Sequence, residues 1–255
     1  MRSFDYIESG KTLLTPHTTS LLAAIHEAKG RQSIQTTIRP DILGTLVAVA
    51  RIQSTDASNR IEGISTSDSR LNDLVSEKVT PRNRNEEEIA GYRDALSVIH
   101  ESHDYIPITP NVILQLHRDL FRHTPLTFAG HFKDSDNVII ERDAHGTSTV
   151  RFAPPSALVT PELIERACSA YTQAIRDGHT DPLLAIAMFI LDFICIHPFN
   201  DGNGRMSRLL TLLMLYRNGY MVGKYISIEH LIEQSKSTYY EALDASTQGW
   251  DDNAN

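Results

Sequence analysis

The chain has 255 residues, 41% of them hydrophobic and 22% charged, which excludes a disordered or fibrous protein and leaves room for one large core or two modest ones. Acidic residues outnumber basic ones by 32 to 24, for a formal charge of -8, so the overall balance offers no attraction to nucleic acid or to an anionic membrane surface.

The opening, "MRSFDYIESGKTLL", has no apolar run of the signal-peptide kind. Apolar residues then recur at helical spacing from Thr18 to Lys29 and from Pro40 to Glu62; the second segment starts on a proline suited to a first helical turn and stops at Gly63 as a C-cap. "RNEEEIAGYRDALSVIHESH" places three glutamates in a first turn, where the helix dipole favours them, ahead of an amphipathic repeat at Ile89, Tyr92, Ala95, Leu96 and Ile99. A further helix follows in "TPNVILQLHRDLFRH". From Phe128 to Phe152 the rhythm breaks: "NVIIE" and "STVRF" flank "RDAHG", the pattern of a small hairpin or extended flap. Helical spacing resumes at Thr160–Arg176, Pro182–Ile196, Asn203–Arg217 and Ile228–Ala245. The segment Leu183–Ile196 is the most hydrophobic of the chain, too short to span a bilayer and interrupted by Asp192. The two cysteines, Cys168 and Cys195, both fall in apolar helical patterns and read as buried thiols of a soluble, cytoplasmic protein, with no structural disulfide. The tail, "GWDDNAN", reads as frayed or cut, leaving room for a further domain. The expected fold is all-α, or mainly α: a helical bundle with one β-hairpin and an N-terminal helical extension.

The densest chemistry lies in "HPFNDGNGRMSR", His197 to Arg208, between two apolar helices. A glycine-rich turn feeding a helix N-terminus leaves backbone N–H groups unpaired with partial positive charge behind them, which is an anion site. Arg205 and Arg208, three residues apart, have forked donors suited to phosphate oxygens. Asp201 beside such a cradle calls for a bridging cation, and Mg²⁺ suits a carboxylate plus phosphate oxygens. His197, with an ordinary pKa of about 6.5, suits a general base. Base, metal ligand and anion cradle together point to transfer of a phosphorus-centred group to a hydroxyl.

The same run matches in full the Fic-domain signature His-Pro-Phe-x-[Asp/Glu]-Gly-Asn-[Gly/Lys]-Arg-x-x-Arg, so the chain resembles the Fic family of nucleotidyl transferases. The resemblance implies a Fic-type helical core over residues 85–250 and an N-terminal helical region over residues 1–84. It implies transfer of AMP from ATP to a Ser, Thr or Tyr hydroxyl of a target protein, with ATP and Mg²⁺ as cofactors. His197 would take the hydroxyl proton and Asp201 would bind Mg²⁺. Gly202, Asn203, Gly204 and Arg205 would hold the α- and β-phosphates and Arg208 the γ-phosphate, with Met206 and Ser207 in the same turn. Gly204 favours the AMP-transferring branch over the Doc-like kinases, which carry Lys there. "GHFKDSDNVII" followed by "FAPP" resembles the family flap, which presents the target segment as an added strand, although the insert "ERDAHGTSTVR" is longer than in shorter family versions. "KSTYYEAL" resembles the adenine-side segment, with Tyr239 against base or ribose.

"SNRIEG", Ser58 to Gly63, by itself reads as a solvated helix end with a glycine cap. In a Fic-like chain it resembles the inhibitory motif [Ser/Thr]-x-x-x-Glu-[Gly/Asn] in its N-terminal, class II placement. This implies that Glu62, backed by Ser58 and Gly63, pairs with Arg208 and puts negative charge where the γ-phosphate must go. A homodimer and a role for Glu62 in removing AMP are properties of related proteins, and modification of the chain by itself, restrained by Glu62, is a further expectation. Transfer of another nucleotide or of phosphate, and a binding module with secondary catalysis, remain the alternatives. No membrane or nucleic-acid partner is expected from these residues.

Overall fold

The computed structural model describes residues 3–38, 40–142 and 148–250, and side chains outside 33–41 and 140–149. In chain order come α1 Tyr6–Thr12, α2 Pro16–Ile38, α3 Pro40–Ile61, α4 Asp68–Val75 and α5 Arg84–Ser102, then a 3-10 turn at His103–Tyr105 and α6 Pro110–Leu120. An antiparallel hairpin, β1 Ile139–Arg142 with β2 Ser148–Phe152, precedes α7 Thr160–Asp177, α8 Pro182–Ile196, α9 Asn203–Arg217, α10 Val222–Tyr225, α11 Ile228–Gln234 and α12 Lys236–Thr247. The all-α class with a single hairpin among the described residues is the one expected. No described helix is long and apolar enough to cross a membrane.

Helix α8 is the axis of the core. It is apolar on nearly every side, so it can only be stable surrounded; α7 and α9 flank it, and α1 and α12 pack beside them. Asp181 caps its start by accepting from Leu183 N, with Pro182 in the first turn where a missing N–H costs nothing. The one charged residue of α8, Asp192, is fully buried, accepting from the Tyr6 hydroxyl at 2.7 Å and from the Trp250 indole N–H at 2.6 Å. Both ends of the described chain are therefore fastened to the helix that leads to His197. Trp250, expected in a frayed tail, is 2% exposed and packs edge-on to Phe152 of β2; residues 251–255 lie outside the described ones. Both cysteines are buried, and burial pushes the Cys168 thiol up to about 12.

The other departures have local causes. The segment expected as one helix from Ile228 to Ala245 is broken at Ser235, which ends α11 and starts α12 and whose hydroxyl donates back to Leu231 O. Helix α4 was not expected; Leu71, Leu74 and Val75 bury with Ile89 in a small second core that eight residues of mixed polarity hardly advertise. The glutamates opening α5 do more than favour its dipole. Glu86 is buried against Arg70, whose guanidinium draws its carboxyl down to about 2, and Glu88 is buried too. The hairpin runs from 139 rather than 137, with a register shift between Ile139 and Ile140, and "RDAHG" lies outside the described residues beyond Arg142.

Candidate active site

Helix α8 stops at His197, which takes a left-handed conformation with φ +50° while its N–H still donates to Phe193 O. Pro198 prevents continuation. The turn that follows is closed by Asn203, whose side chain accepts from Phe199 N at 2.9 Å and donates to Phe199 O at 2.8 Å. Gly202, at φ +81°, then starts α9 with no side chain capping it and no acid in the first turn. The first N–H groups of a four-turn helix are thus left for an anion.

These groups open on a cavity of about 290 Å³. His197, Asn203, Gly204, Ser207 and Arg208 form one wall; Glu62, just past the end of α3, reaches in; Phe152, Tyr239, Tyr240 and Leu243 form the far side. Arg208, 5% exposed, donates from Nε to Ser58 Oγ at 2.8 Å and from Nη2 to Ser58 O at 2.9 Å and Glu62 Oε1 at 2.6 Å. Gly204 makes that approach sterically feasible: a Cβ there would overlap Glu62 Oε1 and lie 3.4 Å from Arg208 Nη1. Gly63, at φ +78°, turns the chain away behind Glu62. Burial pushes the His197 imidazole down to about 4, with the Lys133 ammonium adding to the effect and the Ile194 carbonyl and Glu62 opposing it. The ring is therefore neutral near pH 7, with Nδ1 buried and making no hydrogen bond of normal geometry. Burial raises both tyrosines, Tyr239 and Tyr240, which meet edge to face.

Not every residue of the run faces this cavity. Met206 is fully buried in the core. Ser207 lines the cavity but spends its hydroxyl on Gly204 O at 2.8 Å. Arg205 points behind α9: its Nη1 lies 2.7 Å from Glu88 Oε2 without aligned hydrogen-bond geometry, and its guanidinium sits over the Phe121 ring at 5.0 Å. Asp201, with its side chain 46% exposed, accepts from Gly202 N and has Arg84 and Arg205 each at 3.8 Å. Among the described residues no three His, Cys, Asp or Glu side chains converge on a metal position. Asp201 thus suits a cation that takes one carboxylate and draws its remaining ligands from phosphates and water, which is the habit of Mg²⁺.

Four contacts around the site were absent from the sequence reading. Glu88 holds Arg205 and also accepts from Arg84 at 2.8 Å. Lys133, 3% exposed, donates from Nζ to Ile196 O and Asn137 Oδ1, and its backbone N–H to Pro198 O, so it caps the end of α8; burial brings it down to about 8. Arg151 of β2 donates to Asp244 at 2.7 Å and to Tyr240 O, fastening the hairpin to α12. His117 of α6 stacks on Phe199 and bonds the backbone of Asp201. For His117 a signal existed: it interrupts the apolar stripe Ile113, Leu116, Leu120 with a polar ring.

Residues 107–215 match the family model described as the Fic/DOC family. A Fido domain-containing protein of Dictyostelium discoideum is 37% identical over 90 residues, 34% of this chain and 58% of that protein. A protein named protein adenylyltransferase Fic, of Nematostella vectensis, is 24% identical over 202 residues, 75% of this chain and 42% of that one. The chain thus spans about half the length of these two curated relatives. The crystal structure of a Fic family protein from Desulfovibrio desulfuricans G20 superposes with a TM-score of 0.75 at 24% identity, covering 93% of this chain and 68% of that one; the two share the helical fold.

Proposed function

Residues 107–215 being a Fic/DOC family domain, we propose that this chain is a protein adenylyltransferase, moving AMP from ATP to a Ser, Thr or Tyr hydroxyl of a target protein. The observation that carries the proposal is the uncapped N-terminus of α9 facing one cavity together with a neutral His197 and the Arg208 guanidinium. The N–H groups at the start of α9 would hold the α- and β-phosphates and Arg208 the terminal one. Asp201 would hold Mg²⁺, which when bound neutralises phosphate charge. The target hydroxyl oxygen attacks the α-phosphorus, its proton passes to His197, and the bond to the β-phosphate breaks to release pyrophosphate. A residue with its pKa near 4 is a weak base, and the negative charge of a bound nucleotide beside it raises its basicity. Tyr239 and Tyr240 offer apolar faces to the base, and the hairpin would receive the target segment along its edge. On this reading residues 1–84 are a regulatory helical region and 85–250 the catalytic core.

Glu62 gives the proposal its second part, auto-inhibition. Its carboxylate occupies the Arg208 guanidinium and lies against Gly204 in the first turn of α9, where a phosphate would have to sit. The nucleotide must displace one anion to place another. The test is incorporation of labelled AMP, into the chain itself and into lysate proteins, by wild type, Glu62→Gly and the double variant Glu62→Gly/His197→Ala. Glu62→Gly is expected to exceed wild type by tenfold or more, corresponding to about 1.4 kcal/mol of relieved competition, and the double variant to be inactive. Equal incorporation by wild type and Glu62→Gly contradicts the restraint; activity without His197 contradicts the assignment of the base.

A further inference from the structure

We infer that His117 is a positioning residue for the phosphate cradle: it fixes the direction of the peptide between Asp201 and Gly202 and ties that peptide to the root of the flap. The inference rests on the nucleotide-binding reading of the site. His117 is fully buried on the inner face of α6. Its Nδ1 accepts the Gly130 N–H at 2.9 Å, so Nδ1 carries no proton and Nε2 must be the donor; its partner is the Asp201 carbonyl at 3.1 Å. In a planar trans peptide the carbonyl oxygen and the next N–H point to opposite sides. With the Asp201 carbonyl drawn back to the imidazole, the Gly202 N–H faces the Asp201 carboxylate, which accepts it. Rotating this plane would turn the N–H of Gly202 towards the imidazole and the carbonyl towards the anion.

The ring cannot turn to permit that. It lies flat on Phe199 at 3.7 Å between centroids and 1° between planes, and meets Phe121 edge-on at 5.0 Å. Phe121 is also the ring that a Cβ on Gly202 would strike, so the Gly202 backbone rests directly on this aromatic wall. Gly130 and Gly202 both have left-handed φ, +78° and +81°. One neutral imidazole therefore pins two glycine turns, the flap root with one nitrogen and the cradle with the other. A displacement of the flap is felt at the phosphate site through a single side chain.

Asparagine and glutamine separate this role from simple packing. Asn places its amide near Nδ1, where it can accept from Gly130 without reaching Asp201; Gln reaches the position of Nε2 and can donate to the Asp201 carbonyl. Both lose the ring. In the Glu62→Gly background, His117→Asn is expected to weaken Mg·ATP binding about tenfold or more by calorimetry, the worth of one well-placed hydrogen bond, while His117→Gln recovers most of it. Thermal unfolding of the two variants should fall together. Nitrogen chemical shifts of His117 in the unsubstituted chain should report the Nε2–H tautomer. Equal losses of affinity in Asn and Gln, or the Nδ1–H tautomer, overturn the positioning role. If the Asn/Gln split is found in a protein that transfers no AMP, the positioning role stands and the adenylyltransferase reading falls.

Discussion

Arg208 donates three hydrogen bonds to the end of α3, and only one of them goes to Glu62. The other two, to Ser58 Oγ and O, hold the guanidinium in place whether or not the carboxylate is present. Burial works against its charge, and Glu62 and Tyr92 beside it hold the proton on. Replacing Glu62 thus frees a cation that is still aimed, whereas Ser58→Ala removes a neutral acceptor from a buried charged donor. Loss of such a bond costs about 1–3 kcal/mol, so Ser58→Ala should lower the chemical denaturation midpoint by a corresponding amount at pH 7. An unchanged midpoint would show that the guanidinium does not need the hydroxyl. The pairing of Glu62 with Arg208 was legible because the family resemblance named both partners; the residues between them in sequence, 146 apart, carry no hint of it. Glu88 and Lys133 were not legible, since each acts on a backbone group or side chain that only folding brings near; His117 showed as a polar ring in the apolar stripe of α6, but its partners Gly130 and Asp201 did not.

At the scale of elements, what could be read was what periodicity encodes. Helix α8 announced itself by uninterrupted apolarity and α9 by its glycine-rich start, and these two place the whole motif. Short elements escaped. α1 and α4 have seven and eight residues, too few for a helical period to stand out; α1 is held by burial of Tyr6 and Gly10 and α4 by burial of Leu71, Leu74 and Val75. The break at Ser235 matters for the site, because it sets α12 as a separate helix whose Tyr239, Tyr240 and Leu243 line the cavity and whose Asp244 takes Arg151 from the hairpin. α3 is likewise fixed beyond its own sequence: Lys236 donates to Ile61 O and Glu233 accepts from Arg60, so the C-terminal helices hold the segment that presents Glu62.

For the whole molecule, buried histidines make stability depend on pH. His100 and His117 are buried, and burial pushes both down to about 4 from an ordinary 6.5. Above pH 6.5 they are neutral folded or unfolded. As pH falls from there towards 4, the unfolded chain takes up protons that the native one refuses, so stability decreases, by roughly 2 kcal/mol per histidine at pH 5. Glu86, held near 2 by Arg70, begins to act only below its ordinary 4.5. Urea unfolding should therefore show a clearly lower midpoint at pH 5 than at pH 7; equal midpoints would mean that these rings are not held neutral. The reaction itself is tested most directly by the fate of label in ATP incubated with Glu62→Gly and Mg²⁺. The account predicts that label at the α-phosphate becomes covalently attached to protein hydroxyls while label at the γ-phosphate leaves in pyrophosphate. Attachment of the γ-label would contradict it and make the site a kinase.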